Sequence, residues 1–207
     1  MMTVIETHNL SAGYTTPIIS GLNLTVSAGD YLCVVGENGS GKTTLMKTLL
    51  GLIPPLSGSV SVIAGAGEIG YVPQQNELQK DFPASVSEVV LSGFQGRLGL
   101  WPFYSQKEKE SAFEAMRKMN ITELRFRCYR ELSGGQRQRV LIARALCAGR
   151  KIMFLDEPVS GLDPQSAKEM YSVIHGLNTE GMTVIMISHD LESSLKYATR
   201  VLEIGRG

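Results

Sequence analysis

The chain contains 207 residues, of which 43% are hydrophobic, and its 20 Lys and Arg residues balance its 20 Asp and Glu residues. A chain of this length can bury a good core as one globular unit. The formal net charge of zero does not favour nucleic acid, and no nucleic-acid partner is expected. No apolar run approaches the roughly 20 residues that span a bilayer, and no signal-peptide pattern opens the chain, so we expect a soluble protein.

The first third of the chain has the patterns of short β-strands. Residues 3–10 and 18–26 predict two antiparallel strands, and apolar residues alternate in the second of them as in a half-buried strand. Two further short strands are predicted at residues 58–63 and 69–72. We therefore expect an early β-rich region that supports one side of a ligand site.

The sequence GENGSGKTT at residues 36–44 satisfies the phosphate-loop pattern GxxxxGK[ST]. An apolar run typical of a buried strand precedes it, and helical spacing that ends at Gly51 follows it. Backbone N–H groups of such a loop wrap phosphates, Lys42 would reach the β- and γ-phosphates, and the Thr43 hydroxyl would bind Mg²⁺. The sequence therefore predicts ATP or GTP binding. The predicted binding residues are Gly36, Asn38, Gly39, Ser40, Gly41, Lys42, Thr43 and Thr44.

A helical segment is predicted between residues 75 and 130. Two stretches in it begin with the capping-box pattern S-x-x-E, which satisfies backbone N–H groups at a helix start. These stretches begin at Ser85 and Ser105, and a shorter helix is predicted at residues 121–127. We interpret the whole segment as a helical subdomain inserted into an α/β core.

Trp101, Phe103 and Tyr104 lie close together between the first two of these helices. One interpretation is a local aromatic cluster that packs this segment against the helices. The other is a partly exposed patch, bordered by Phe82 and Pro83, that receives a partner protein. We adopt the second as a hypothesis, under which Trp101→Ala weakens partner binding and the stimulation of this chain's activity by that partner.

The sequence LSGGQ at residues 132–136 opens a long helical pattern of apolar and basic residues. Glycine before a helix lets backbone N–H groups approach a ligand, and the helix N-terminus favours an anion. Alone, the segment could be an ordinary capped helix. Because the chain also carries a phosphate loop, we predict a second phosphate-binding helix start. Its residues are Ser133, Gly134, Gly135 and Gln136.

Polar residues follow two further apolar runs that are typical of buried strands. Asp156 and Glu157 follow the first run, at the sheet edge where ligands bind in α/β folds. Asp156 would order the Mg²⁺ shell, and Glu157 is the candidate general base for the attacking water. His189 follows the second run and could hydrogen-bond a γ-phosphate. His8 and His175 have no such context and are interpreted as structural.

These motifs, in this order, resemble those of the ATP-binding-cassette ATPase domain, and the resemblance covers nearly the whole chain. It implies that Tyr14 stacks on adenine and that Gln74 senses Mg²⁺ and the γ-phosphate. It also implies a head-to-tail homodimer with two ATP molecules between the subunits. In that dimer the LSGGQ segment would act on the ATP of the other subunit, and Asp163 would couple the two sites.

The resemblance also implies the fold and its organisation. We expect an α/β P-loop NTPase with a RecA-like parallel-sheet core, an N-terminal antiparallel β subdomain and an inserted helical subdomain. The whole chain, residues 1–207, would be one domain, with residues 1–74 and 131–207 as the catalytic core. Residues 75–130 would form the insert that contacts integral-membrane permease subunits at the cytoplasmic face of the cell membrane.

In this family a single cassette without membrane spans resembles the ATPase subunits of bacterial importers. Residues 81–93, DFPASVSEVVLSG, are similar to the corresponding segment of zinc- and manganese-uptake cassettes. This implies a zinc or manganese importer, with an extracytoplasmic metal-binding protein in the full system. The alternatives are importers of iron chelate, haem or cobalamin, and a soluble ATPase such as one for iron–sulfur assembly.

Overall fold

Two β-sheets organise the computed structural model, which describes residues 2–65, 67–74, 83–97 and 103–205. The strands are β1 (Thr3–Gly13), β2 (Pro17–Ser27), β3 (Tyr31–Gly36), β4 (Ser57–Val62), β5 (Ile69–Val72), β6 (Ile152–Asp156), β7 (Thr183–Ile187) and β8 (Arg200–Ile204). Three of them form an antiparallel sheet in the order β2-β1-β4. The other five form a parallel sheet in the order β5-β6-β7-β3-β8.

The middle of the parallel sheet is buried on both faces, as its continuous apolar runs predict. Every residue of β6 and β7 is buried, and hydrophobic core clusters pack on both sides. Asp156 at the end of β6 pairs with Ile187 of β7, and Val34 of β3 pairs with the same residue. The register therefore brings the carboxyl ends of three strands, and the residues that follow them, to one edge.

Six α-helices accompany the two sheets in the described chain. They are α1 (Lys42–Leu49), α2 (Val86–Leu91), α3 (Gln106–Lys118), α4 (Gly134–Ala148), α5 (Pro164–Thr179) and α6 (Leu191–Leu195). The predicted capping boxes at Ser85 and Ser105 are both formed. Buried residues of α2, α3 and α4 belong to one hydrophobic cluster, so the two predicted insert helices pack against α4. No helix in the described residues is long and apolar enough to cross a membrane.

Three details differ from the sequence prediction. Residues 121–127 form only a 3₁₀ turn at Thr122–Leu124, because the carbonyls of Arg125 and Arg127 accept hydrogen bonds from the first N–H groups of α2. The strand Ile69–Val72 joins the parallel sheet beside β6 rather than the antiparallel region. Gly134 and Gly135 lie inside the first turn of α4 instead of before it, because Ser133 is the N-cap.

The aromatic segment is described only in part, because Phe82 and Trp101 lie outside the described residues. Phe103 is 79% exposed and Pro83 is also exposed. Tyr104 is partly buried and packs against the larger core cluster. Phe103 therefore fits the hypothesis of an exposed patch, whereas Tyr104 fits local packing.

Candidate nucleotide-binding and hydrolysis site

An open cavity of about 520 Å³ lies at the carboxyl edge of the parallel sheet. It is bounded by the loop between β3 and α1 and by side chains that follow β5, β6 and β7. Most of the predicted phosphate-binding and catalytic residues meet in it. The residues that line it are Ile18, Asn38, Gly39, Gly41, Lys42, Thr43, Thr44, Gln74, Glu157 and His189.

The loop needs glycine at positions where its backbone approaches other groups. A side chain at Gly36 would place its Cβ 2.3 Å from the carbonyl oxygen of Ile204. Gly41, at φ 95°, is the N-cap of α1, and a Cβ there would lie 2.8 Å from Ile18 Cγ2. In the described structure no side chain caps this helix start. Its first N–H groups are therefore available to an anion.

The Lys42 side chain folds back across the phosphate loop, residues 36–44. Its ammonium donates hydrogen bonds to the carbonyl oxygens of Gly36, at 2.8 Å, and Glu37, at 2.7 Å, and the residue is 6% exposed. These bonds hold the loop in a ring around the cationic group. The positive charge is thus fixed next to the free N–H groups of α1, which favours a polyphosphate.

Asp156 is the most buried charged side chain at the site, at 1% exposure. Its Oδ1 accepts a hydrogen bond from the Thr43 hydroxyl at 3.3 Å, whereas its buried Oδ2 has no partner among the described residues. Burial is the main cause that raises the pKa of this carboxyl. The Asp156 carboxylate, with this buried oxygen unpaired, and the neighbouring Thr43 hydroxyl are together suitable ligands for Mg²⁺.

We expect Asp156→Asn to stabilise the nucleotide-free protein while removing its response to Mg²⁺. Because the folded pKa is raised, the folded chain holds the proton more tightly than the unfolded chain, and this carboxyl becomes less stabilising as the pH rises through that pKa. Asn removes the buried charge but can still accept from Thr43. At pH 7.5 scanning calorimetry should show a Tm higher by about 2–4 °C, which corresponds to roughly 1 kcal/mol.

Asp30→Asn is the matched control, because the Asp30 carboxylate accepts a hydrogen bond from the Ser27 N–H at 2.8 Å. Its replacement should not raise Tm. Added Mg-ATP should raise the Tm of the wild-type protein more than that of the Asp156 variant. A lower Tm for Asp156→Asn in the absence of nucleotide would contradict the assignment of a destabilising buried charge.

Glu157 lies between the other two predicted catalytic side chains. Gln74 donates from Nε2 to Glu157 Oε2 at 3.0 Å, and His189 Nε2 lies 2.5 Å from Glu157 Oε1. Glu157 has φ 51°, which is uncommon for a residue other than glycine. Its backbone N–H donates to the carbonyl oxygen of Ile187 at 3.1 Å, which ties this turn to β7. The turn aims the carboxylate into the cavity.

The LSGGQ residues and two others lie apart from this cavity within the described chain. Ser133 and Gln136 form a reciprocal capping box, in which Ser133 N–H donates to Gln136 Oε1 at 3.0 Å. Asp163 caps α5, and its hydrogen bonds with Ser166 lower the pKa of its carboxyl. Tyr14 is 63% exposed. One chain thus assembles the phosphate loop with Gln74, Asp156, Glu157 and His189, but not with Tyr14, Ser133, Gly134, Gly135, Gln136 or Asp163.

Ile18 lines the cavity although the sequence indicated only a strand position for it. What distinguishes Ile18 is visible in the structure and not in the sequence: 39% of this large apolar residue stays exposed in β2. Within the described residues no three His, Cys, Asp or Glu side chains are grouped so that they could hold a metal ion.

Comparison with known proteins matches residues 19–160 to the family model for ABC transporters. The manganese transport system ATP-binding protein MntB of Bacillus subtilis is 37% identical over 204 residues, which is 96% of this chain and 82% of that protein. The zinc uptake system ATP-binding protein ZurA of Listeria monocytogenes is 36% identical, over 100% of this chain and 84% of that protein.

Solved structures similar in fold to this chain are also ABC transporters and their ATP-binding cassettes. The chain superimposes with a TM-score of 0.89 and 33% identity on an inward-facing ABC transporter described as of the metal-chelate type, over 99% of this chain and 80% of that one. An ATP-binding cassette of an ABC transporter in its ADP conformation gives a TM-score of 0.84 and 26% identity, over 100% and 92% of the two chains. The predicted α/β fold, with parallel and antiparallel sheets, is confirmed.

Proposed function

Because this chain belongs to the ABC transporter family of ATP-binding proteins, we propose that it is the ATPase subunit of a metal-ion importer, with zinc or manganese as cargo. The chain is an ATPase of that family and binds nucleotide. One observation carries the choice of cargo: relatives at 36–37% identity over nearly the whole chain are named for manganese transport and zinc uptake. The cargo would pass through a partner, not through this chain.

In the proposed mechanism each side chain of the cavity has one task. Lys42 and the N–H groups at the start of α1 bind the phosphates. Thr43, Asp156 and Gln74 would hold Mg²⁺, which when bound would supply positive charge that neutralises the phosphates. Glu157 takes the proton of the attacking water on a carboxylate oxygen, while the His189 ring next to it holds that water in line.

We further propose that two copies of the chain complete each site in a head-to-tail dimer. The residues that lie apart from the cavity support this, because LSGGQ and Asp163 would be left without a role in hydrolysis within one chain. In the dimer, Ser133, Gly135 and Gln136 of one copy face the γ-phosphate bound by the other, and Tyr14 stacks on adenine. The start of α4 is capped only by its own Ser133–Gln136 box, and a helix start favours an anion, which suits that role.

The permease contact is proposed at a second cavity, of about 560 Å³, between β5, α4 and the 3₁₀ turn Ser92–Arg97. Its walls are close-packed, since a Cβ at Gly93 would lie 2.2 Å from the carbonyl oxygen of Arg144. A rigid groove bordered by Tyr71 and Pro73, directly before Gln74, can pass movement of a docked segment to the hydrolytic site. This contact would hold the ATPase at the cytoplasmic face of the membrane.

We expect Gly96→Trp to reduce recovery of the membrane subunit at least about tenfold, the loss that follows from about 1.4 kcal/mol of binding free energy. Gly96 lines the groove, and a Cβ there meets no atom within 4 Å, so the indole can project into the groove without disturbing the fold. The measurement is quantitative mass spectrometry of a tagged pull-down from detergent-solubilised membranes.

Gly176→Trp is the control, because a Cβ at Gly176, in α5, also meets no atom within 4 Å and the residue lies outside the groove. It should leave recovery unchanged. Equal recovery with both variants would contradict the proposed groove. If the wild-type chain recovered only soluble proteins, the transporter proposal itself would fail, and a soluble assembly ATPase would replace it.

A further inference from the structure

A buried hydrogen bond joins α5 to the turn that carries His189. The Tyr171 hydroxyl lies 2.9 Å from Ser188 Oγ, and both residues are 1% exposed. Tyr171 is in the second turn of α5, and Ser188 directly follows β7. Such a bond between two buried hydroxyls is costly to break, because each group would lose a partner that water cannot replace.

The direction of this bond follows from the other contacts of Ser188. Its hydroxyl donates to the carbonyl oxygen of Asp190 at 3.2 Å and accepts from the Asp190 N–H at 3.1 Å. Geometry allows either hydroxyl to donate, but among the described residues the Tyr171 hydroxyl has no other acceptor, so both protons are used only if Tyr171 donates to Ser188 Oγ and Ser188 donates to Asp190. Burial raises the pKa of Tyr171 to about 12, so its hydroxyl keeps the proton that it donates. The Ser188 hydroxyl is then fully satisfied.

His189 is the residue between these two anchored neighbours. Its own side chain is 41% exposed and reaches Glu157 Oε1. An exposed imidazole depends on its backbone for orientation, because few packed atoms hold the ring itself. The backbone on both sides is held by Ser188 Oγ, and Ser188 Oγ is held by Tyr171.

We propose that Tyr171 is a positioning residue for hydrolysis, which acts through Ser188 to hold the His189 ring against the Glu157 carboxylate. The inference rests on the hydrolytic role proposed above for His189 and Glu157. Tyr171 does not touch nucleotide. Its hydroxyl fixes the turn of residues 188–190, so that the imidazole stands at the reacting groups before ATP arrives.

Tyr171→Phe tests the inference, because Phe keeps the buried ring and removes only the hydroxyl. We expect kcat for ATP hydrolysis to fall roughly threefold to tenfold, as the loss of one hydrogen bond predicts, with KM for ATP changed by less than about twofold. Tyr31→Phe is the matched control. Tyr31 is 0% exposed in the same core cluster, and its hydroxyl donates to Met186 Sδ at 3.6 Å rather than to the His189 turn.

A spectroscopic measurement separates positioning from loss of stability. The chain has three histidines, so ring ¹⁵N resonances of labelled protein can be assigned with a His189→Ala variant. Tyr171→Phe should shift and broaden the His189 ring signals, and Tyr31→Phe should not. Unchanged His189 signals, or an equal fall of kcat in both Phe variants, would overturn the inference.

The path through Ser188 is tested with a double-mutant cycle. Ser188→Ala should lower kcat, and Tyr171→Phe added to it should cost little more, because the second substitution removes a bond already broken. Fully additive losses would overturn a path through Ser188. Failure of the positioning role can be told apart from failure of the proposed ATPase function. The ATPase function fails if Glu157→Gln keeps its turnover. Full activity of Tyr171→Phe together with an inactive Glu157→Gln overturns only the positioning role of Tyr171.

Discussion

Glu157→Gln is expected to lower kcat by roughly 10²- to 10⁴-fold while ATP binding is retained, because the amide cannot accept the proton of the attacking water. Gln has nearly the shape of Glu, and its oxygen can still accept from Gln74 Nε2, which lies 3.0 Å from Oε2 in the wild-type chain. Nucleotide affinity should therefore change little. Phosphate release at saturating Mg-ATP and equilibrium binding of a fluorescent ATP analogue measure the two effects separately.

The same variant should accumulate as an ATP-bound dimer on size-exclusion chromatography, since the dimer forms but does not hydrolyse. Glu6→Gln is the control: Glu6 lies in β1 of the antiparallel sheet and pairs with His8 on the surface. It should have wild-type turnover and no trapped dimer. Wild-type hydrolysis by Glu157→Gln would remove Glu157 as the general base.

Lys42→Ala is expected to weaken ATP binding by roughly 10²-fold or more, because charge-assisted hydrogen bonds contribute about 1.5–3 kcal/mol each. The loss has a second cause in this chain. Lys42 Nζ also holds the loop by donating to the carbonyl oxygens of Gly36 and Glu37, so its removal loosens the N–H groups that bind phosphate. Isothermal titration calorimetry with Mg-ATP measures the affinity directly.

Lys107→Ala provides the comparison, since Lys107 is an exposed residue of α3 in the predicted insert. It should bind ATP as the wild-type protein does. If Lys42→Ala bound ATP within about threefold of wild type, a difference of roughly 0.6 kcal/mol, the loop could not be the main phosphate site.

The parts of the fold that depend on neighbouring residues could be predicted from the sequence. The glycine-rich turn between an apolar run and a helical pattern gave β3, the loop and α1, and two S-x-x-E patterns gave the starts of α2 and α3. The partner of β5 could not be predicted, because pairing with β6 joins residues about eighty positions apart. A longer helix was predicted where only the 3₁₀ turn Thr122–Leu124 forms, for a similar reason: the carbonyls of Arg125 and Arg127, which follow that turn, accept hydrogen bonds from α2, about forty residues earlier in the chain.

At the site, too, some features could be predicted from the sequence and others depend on contacts between distant residues. Asp156, Glu157 and His189 could be expected together because strands that run parallel end at one edge. The positive φ of Glu157 and the bonds of Lys42 to its own loop have no signal in a pattern of residue types. The Tyr171–Ser188 hydrogen bond could not be predicted from the sequence either, since it depends on how α5 packs against the sheet.

Metal uptake by source cells from which this chain has been deleted tests whether the chain powers the import of zinc or manganese. Accumulation of radioactive zinc and of radioactive manganese would be measured with the wild-type chain, with Glu157→Gln and with no chain restored. We expect that uptake of one of the two metals is lost on deletion, is restored by the wild-type chain and is not restored by Glu157→Gln. Uptake of both metals that is the same with and without the chain would contradict it.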